Sequence, residues 1–175
     1  MPRIEMDLDP ITHITTDAIG QPGQRTFYLQ AWQENKAYTL LVEKIQIQSL
    51  AIGFSQFLDE VAVKHPQLPP ASADFNEDKM HIIPPVDPLF RVGEIGLAFD
   101  SDRDLIIIVV REILGEELDQ AGASVLHIWC TRSQLKALCA WGLEVINRGR
   151  PLCPQCGEPM EPSGHFCPKK NGHKH

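Results

Sequence analysis

Three cysteines and a histidine close to the C-terminus are the residues of this chain best spaced for chemistry. Cys153 and Cys156 flank Pro154-Gln155, and His165 and Cys167 follow, so four metal-type ligands fall within fifteen positions. Thiolate and imidazole in a Cys-x-x-Cys…His-x-Cys pattern suit a tetrahedral Zn²⁺ site. The Cys-Pro-x-Cys-Gly turn ending at Gly157 suits a tight metal knuckle. His165, two residues before Cys167 on one side of an extended ribbon, is the favoured fourth ligand, and His173 is the alternative. From Arg148 to His175 there are few apolar side chains (Leu152, Met160, Phe166) and five prolines, so this segment needs a staple to fold. Four protein ligands leave no open position for water, which makes the expected site structural.

A second, weaker group is Glu43, Lys44 and Arg91, with Glu94 beside it. Polar groups at strand ends, next to a long proline-rich connection, are expected at a pocket rim, and these three are the candidate ligand-binding residues. The catalytic residues stay unassigned. His13, His65, His81 and His127 are scattered, and no neighbouring Ser, Cys or Asp sets up a triad around His127. Cys130 and Cys139 stand among apolar residues and read as buried, inert thiols. The sequence holds no phosphate-binding glycine loop and no His-Glu-x-x-His pair.

Charge and composition bound the function. The 175 residues are 43% hydrophobic and carry a net charge of −7. From Arg148 onward five Lys/Arg face two Glu, giving +3 and leaving −10 on the rest. An acidic body argues against nucleic acid as the general partner, and the basic tail offers only Phe166 for stacking. The longest apolar run, Leu105–Val110, is far short of the roughly 20 residues that span a membrane. The first residues contain no apolar leader core, so a cytoplasmic protein is expected.

The elements that must position these groups follow from periodicity. Ile11–Ile19, Arg25–Gln33 and Ala37–Glu43 alternate as strands, with a turn at Gly20-Gln-Pro-Gly23 and a short hairpin at Glu34-Asn-Lys36. Ile47, Leu50, Ala51, Phe54, Phe57, Leu58 and Val61 then recur at helical steps up to Lys64. After a connection over residues 66–88 that holds six prolines, Leu89–Phe99, Leu105–Ile113 and Ser124–Cys130 read as strands. The β-branched run at 105–113 is expected to be central and covered on both faces. Gly93 and Gly96 inside a strand suggest a bulge or a close backbone approach. Thr131-Arg-Ser-Gln134 is a capping box opening a helix that ends near Gly149. The acidic stretch Gly115–Asp119 is expected as an exposed loop.

The order βββα therefore occurs twice, and Gln46 aligns with Gln134 without a gap. The expected fold is α+β: an antiparallel sheet from two βββα halves, pseudo-twofold related, with both helices on one face and a small zinc knuckle after it. The domains are 1–149, with repeats at about 10–65 and 89–149 and the linker at 66–88, and the tail at 150–175.

Several segments resemble a known family. Phe27-Tyr28-Leu29-Gln30-Ala31, Val42-Glu43-Lys44-Ile45-Gln46, Phe90-Arg91-Val92-Gly93, Gly96-Leu97, Gly149-Arg150-Pro151, Cys153-Pro-Gln-Cys156-Gly157 and Gly164-His165-Phe166-Cys167-Pro168 are similar to the domain-of-unknown-function family 3090, bacterial proteins also described as repeat proteins. The resemblance implies no reaction. It implies proximity to a phosphate-linked pathway, since such proteins tend to be encoded near a histidine-phosphatase-like and a lipid-kinase-like protein. The expected function is a zinc-binding, non-catalytic binding or adaptor module with a protein partner. The alternative is an enzyme or ligand-binding protein for a phosphorylated small molecule, with Glu43, Lys44 and Arg91 in the pocket.

Overall fold

The computed structural model describes residues 2–148. The chain order is β1 (Glu5–Leu8), β2 (His13–Ile19), β3 (Thr26–Gln33), β4 (Lys36–Val42), α1 (Lys44–Lys64), β5 (Pro88–Asp100), β6 (Leu105–Glu112), β7 (Val125–Cys130) and α2 (Arg132–Arg148). The strands form one sheet in the order β1-β7-β6-β5-β4-β3-β2, giving a mixed α+β fold. Pairing is antiparallel except at β1/β7 and β4/β5, which are parallel. Short turns predict a purely antiparallel sheet. That expectation fails at β4/β5 because α1 and the linker carry the chain back to the starting end before β5 begins, as a parallel neighbour requires.

The sheet cannot be flat. β1 and β2 stand at opposite ends of the strand order yet are joined by four residues, Asp9–Thr12. Seven flat strands place their edges about 29 Å apart, whereas five Cα steps reach at most about 18 Å. The sheet therefore curls until its ends meet at this corner. Ile11 N–H donates to the Trp129 carbonyl at 2.9 Å, and Thr12 N–H to the Trp32 carbonyl at 2.7 Å. Adjacent residues thus bond to strands from opposite ends of the order. Arg103, in the β5–β6 turn, grips the corner through both Asp9 oxygens at 2.7 and 2.9 Å and lies over the Trp129 ring. Those hydrogen bonds hold the Asp9 carboxyl below the usual carboxylate range. The four-residue β1 has no readable alternation in the sequence, and its pairing partner lies about 120 residues away.

Closure gives the two halves one pairing scheme. β1 pairs in parallel with β7, and after the corner β2 pairs antiparallel with β3. β5 does both jobs in one strand. Its start pairs in parallel with β4 (Thr39 with Pro88, Leu41 with Arg91), and from Glu94 it pairs antiparallel with β6. The change falls at a bulge between Val92 and Glu94. Gly93 sits there because a Cβ would lie 3.0 Å from the Ile113 Cβ. No such crowding surrounds Gly96.

The two glutamines aligned in the sequence do the same work. Gln46 Oε1 accepts from Glu43 N–H at 2.7 Å, and Gln134 Oε1 accepts from Thr131 N–H at 2.8 Å, closing the first turn of α1 and of α2. Each then donates Nε2 across to a strand or its approach: Gln46 to the Val92 carbonyl at 2.9 Å, Gln134 to the Thr12 carbonyl at 3.3 Å. Gly149, expected to end α2, lies outside the described residues.

An apolar cluster fills the concave side. Ile47, Ala51, Phe54 and Leu58 of α1 and Leu135, Leu138, Trp141 and Val145 of α2 meet Leu29, Leu40, Val42, Ile106, Ile108 and Ile128 there. β6 is not covered on both faces as its composition suggests. Ile106, Ile108 and Val110 are fully buried, while Leu105, Ile107 and Val109 remain half-exposed on the outside. The doubly covered strands are β2 and β3 instead, because the linker is strapped across them.

That strap has one 3-10 turn at Glu77–Lys79 and otherwise no repeating backbone bonds of its own. Its backbone polar groups are met by side chains, which is why polar residues are buried here. Thr15 Oγ1 donates to the Met80 carbonyl, Asp17 accepts from Ile82 N–H at 3.1 Å, and His13 Nε2 donates to the Lys79 carbonyl at 2.9 Å. Gln30, fully buried, accepts from Ile83 N–H at 3.2 Å and donates to the Ile83 carbonyl at 3.4 Å. Burial pushes His13 below its ordinary 6.5, with the bond to Lys79 opposing the shift. Replacing Gln30 with Leu orphans both Ile83 groups and the Trp32 indole N–H. The variant should unfold about 2 kcal/mol more easily, measured by urea denaturation with unchanged m-value.

Candidate functional site

The end of β4 leaves this sheet open beside a helix. β4 stops at Val42 and the chain turns into α1, while β5 runs on to Asp100. Beyond Arg91, no strand pairs with that side of β5 among the described residues. α1 lies alongside instead and leaves a cleft of about 440 Å³, lined by Gln46, Ser49, Leu50, Gly53, Phe57 and, from the strand, Gly93, Ile95 and Leu97. A second cleft of about 280 Å³ continues it past Phe57 to Lys64, His65 and Phe99. Leu50 and Phe57, placed by periodicity on the core face of the helix, pack against the core cluster and also line this groove. The sequence spacing could not separate the two roles, because both lie within one wide apolar arc.

Glu43 and Arg91 meet at the mouth of the groove. Arg91 Nη1 donates to Glu43 Oε1 at 2.8 Å, with both side chains more than half exposed. Lys44 is the first residue of α1 and is exposed beside them. Glu94 does not join the group: it points to the outer face, with Arg111 3.9 Å away. Surface pairs of this kind contribute little to stability. Gln46 is the residue that sequence reasoning passed over, since it ties this mouth to the β5 bulge through Val92 and Gly93. Its alignment with Gln134 was the available signal.

The remaining candidates separate. His13 and His81 hold the strap, His81 through Asp17 at 3.1 Å and edge-on against Trp141. His65 closes α1 against Phe99, and His127 lies 3.2 Å from Asp7 on the outer face. Cys130 and Cys139 are buried free thiols; burial pushes them up to about 12 and about 11, which makes them inert as expected. Cys153, Cys156, His165 and Cys167, with His173, lie outside the described residues. Among the described residues no three metal-type side chains come together, and no helix is long and apolar enough to cross a membrane.

Curled sheet, paired helices and lateral groove define a mixed α+β domain whose open cleft lies between a helix and a strand edge. Residues 6–167 match the family model DUF3090, protein of unknown function, and the chain belongs to that family. No curated protein and no solved structure matches it.

Gly53 stands in mid-helix, with nothing within 4 Å of the point a Cβ would occupy. Ala at this position should raise stability by about 1 kcal/mol, because glycine in a helix interior carries an entropic penalty and no contact opposes the methyl group. Thermal unfolding of Gly53→Ala checks this; a loss of stability would mean that the groove is narrower than its lining residues indicate.

Proposed function

We propose that this protein is a non-catalytic binding or adaptor module, built from two βββα halves and a tail folded as a zinc knuckle by Cys153, Cys156, His165 and Cys167. The groove beside α1 carries the binding part of this reading. Its walls are mainly apolar, and the Glu43–Arg91 ion pair lies at the mouth. Beside it, α1 exposes Ile45, Ile52 and Val63, seven and eleven residues apart and therefore in one stripe opposite the core face. An apolar groove next to an apolar stripe suits a polypeptide partner. The zinc part rests on ligand type and spacing alone.

The second reading, a pocket for a phosphorylated small molecule at Glu43, Lys44 and Arg91, is supported by the exposed Lys44 next to the Glu43–Arg91 pair. Its weakness is that Arg91 is already bonded to a carboxylate, which an incoming phosphate would have to displace. A thermal-shift screen with nucleotides and sugar phosphates separates the two. Stabilisation that vanishes in Arg91→Ala would favour the second reading.

Thiol titration tests the tail. The chain has five cysteines, two of them buried in the body. Purified protein should contain one zinc per chain and react slowly with a thiol reagent. Three thiols should become reactive on chelation, and all five on denaturation. Metal-free protein with three freely reactive thiols would sink the knuckle.

A further inference from the structure

At one pair of equivalent positions the two helices carry side chains of opposite size, and the difference describes what the groove accepts. Seven residues after Gln134 stands Trp141; seven after Gln46 stands Gly53. Four residues after Thr12, which Gln134 contacts, is Thr16. Gln46 contacts both Val92 and Gly93 at the bulge, and four after Gly93 is Leu97, which like Thr16 turns its backbone groups away from its antiparallel neighbour. In the first pair, Trp141 is fully buried against β2 and its indole N–H donates to the Thr16 carbonyl at 2.6 Å. The tryptophan seals the edge of β2 that β3 does not cover, with His81 and Phe75 of the strap packed edge-on against it.

The corresponding edge of β5 has no such seal among the described residues. Glu112 N–H bonds to β7's side at Ser124, and Ile113 N–H bonds to Arg91. Because strand residues alternate in direction, odd-numbered residues of β6 face β5. Their partners Gly96 and Ala98 are therefore the residues bonded to β6. Ile95, Leu97 and Phe99 turn their N–H and C=O groups to the open side. The segment Glu94–Asp100 contains neither lysine nor proline, the usual guards of an exposed edge. Where the equivalent of Trp141 would stand, Gly53 leaves space.

We propose that the α1/β5 groove docks an extended segment of a partner protein that presents a tryptophan. The partner's indole fills the space at Gly53 and donates to the Leu97 carbonyl, as Trp141 does to Thr16. Its backbone adds as a strand beside Ile95, Leu97 and Phe99. The flanking side chains that point inward meet Phe57 and Leu50, and those that point outward lie beside Glu94, Gly96 and Ala98, so apolar residues alternate with small or basic ones. This chain's own tail carries no tryptophan. A second copy does not supply one either, since Trp141 is buried and Trp32 and Trp129 are at least half-covered. The proposal rests on the binding-module reading and names its ligand.

The test uses the full chain and a phage-displayed library of unconstrained 12-residue peptides. Selection should enrich tryptophan-containing peptides. A synthetic copy of one should slow amide exchange at Ile95, Leu97 and Phe99, which should exchange quickly in the free monomer. Gly53→Trp, which supplies the missing plug in cis, should weaken that peptide at least tenfold while folding normally by circular dichroism. The wild-type exchange measurement stands even if this variant misfolds. Enriched peptides without tryptophan that Gly53→Trp still blocks would overturn the tryptophan assignment and leave the binding groove standing. Peptides indifferent to Gly53→Trp, an edge already protected in the free chain, or no enrichment at all would overturn both.

Discussion

Five Cα steps between Leu8 and His13 impose the main constraint on this structure. They join strands from opposite ends of a seven-stranded order, so the sheet must bend until those ends meet. A bent sheet has a concave side, and two amphipathic helices fill it in a single core. The bend also explains why the corner is tied down from outside. Arg103 reaches both oxygens of Asp9 and stacks on Trp129, linking the corner to the β5–β6 turn.

Each half ends in a strand followed by a helix, and the glutamine at the third position of each helix fixes how that helix crosses the sheet. The symmetry then breaks at the edges. β2 is sealed by Trp141 and covered by the strap, which requires a buried polar layer: Thr15 and Gln30 serve the strap's backbone, and Thr39 accepts from Gln30. Its hydrogen bonds are satisfied, which is the condition for burying such groups. β5 has neither the tryptophan nor the strap, and what remains among the described residues is a groove with open backbone groups along one wall. Among the described residues this leaves open a strand edge of the kind that a folded protein usually protects.

The chemistry visible in the sequence and the groove visible in the fold lie at different places. The metal-type ligand set is in the tail, and the body brings its ionisable groups into pairs that fasten loops: Arg132 to Asp104, Arg148 to Glu77, His81 to Asp17. The raised thiols of Cys130 and Cys139 follow from burial and mark no reactive centre.

Local pattern was enough for the elements whose signal is local. The helix over Lys44–Lys64, the capping box at Thr131 and Gln134, the turns at Gly20 and Gly23 and the bulge at Gly93 were all legible, since each depends on residues within a few positions of one another. The meeting of Glu43 with Arg91 was legible only as a neighbourhood, without its geometry. The sequence by itself determined the type and order of the longer strands and of both helices, and it places four metal-type side chains in the tail. Tertiary structure alone decided β1, the curl, which strands are covered twice, and the contrast between Trp141 and Gly53. Those depend on groups brought together across the closed sheet, and periodicity along one segment carries no information about what packs against it from a hundred residues away.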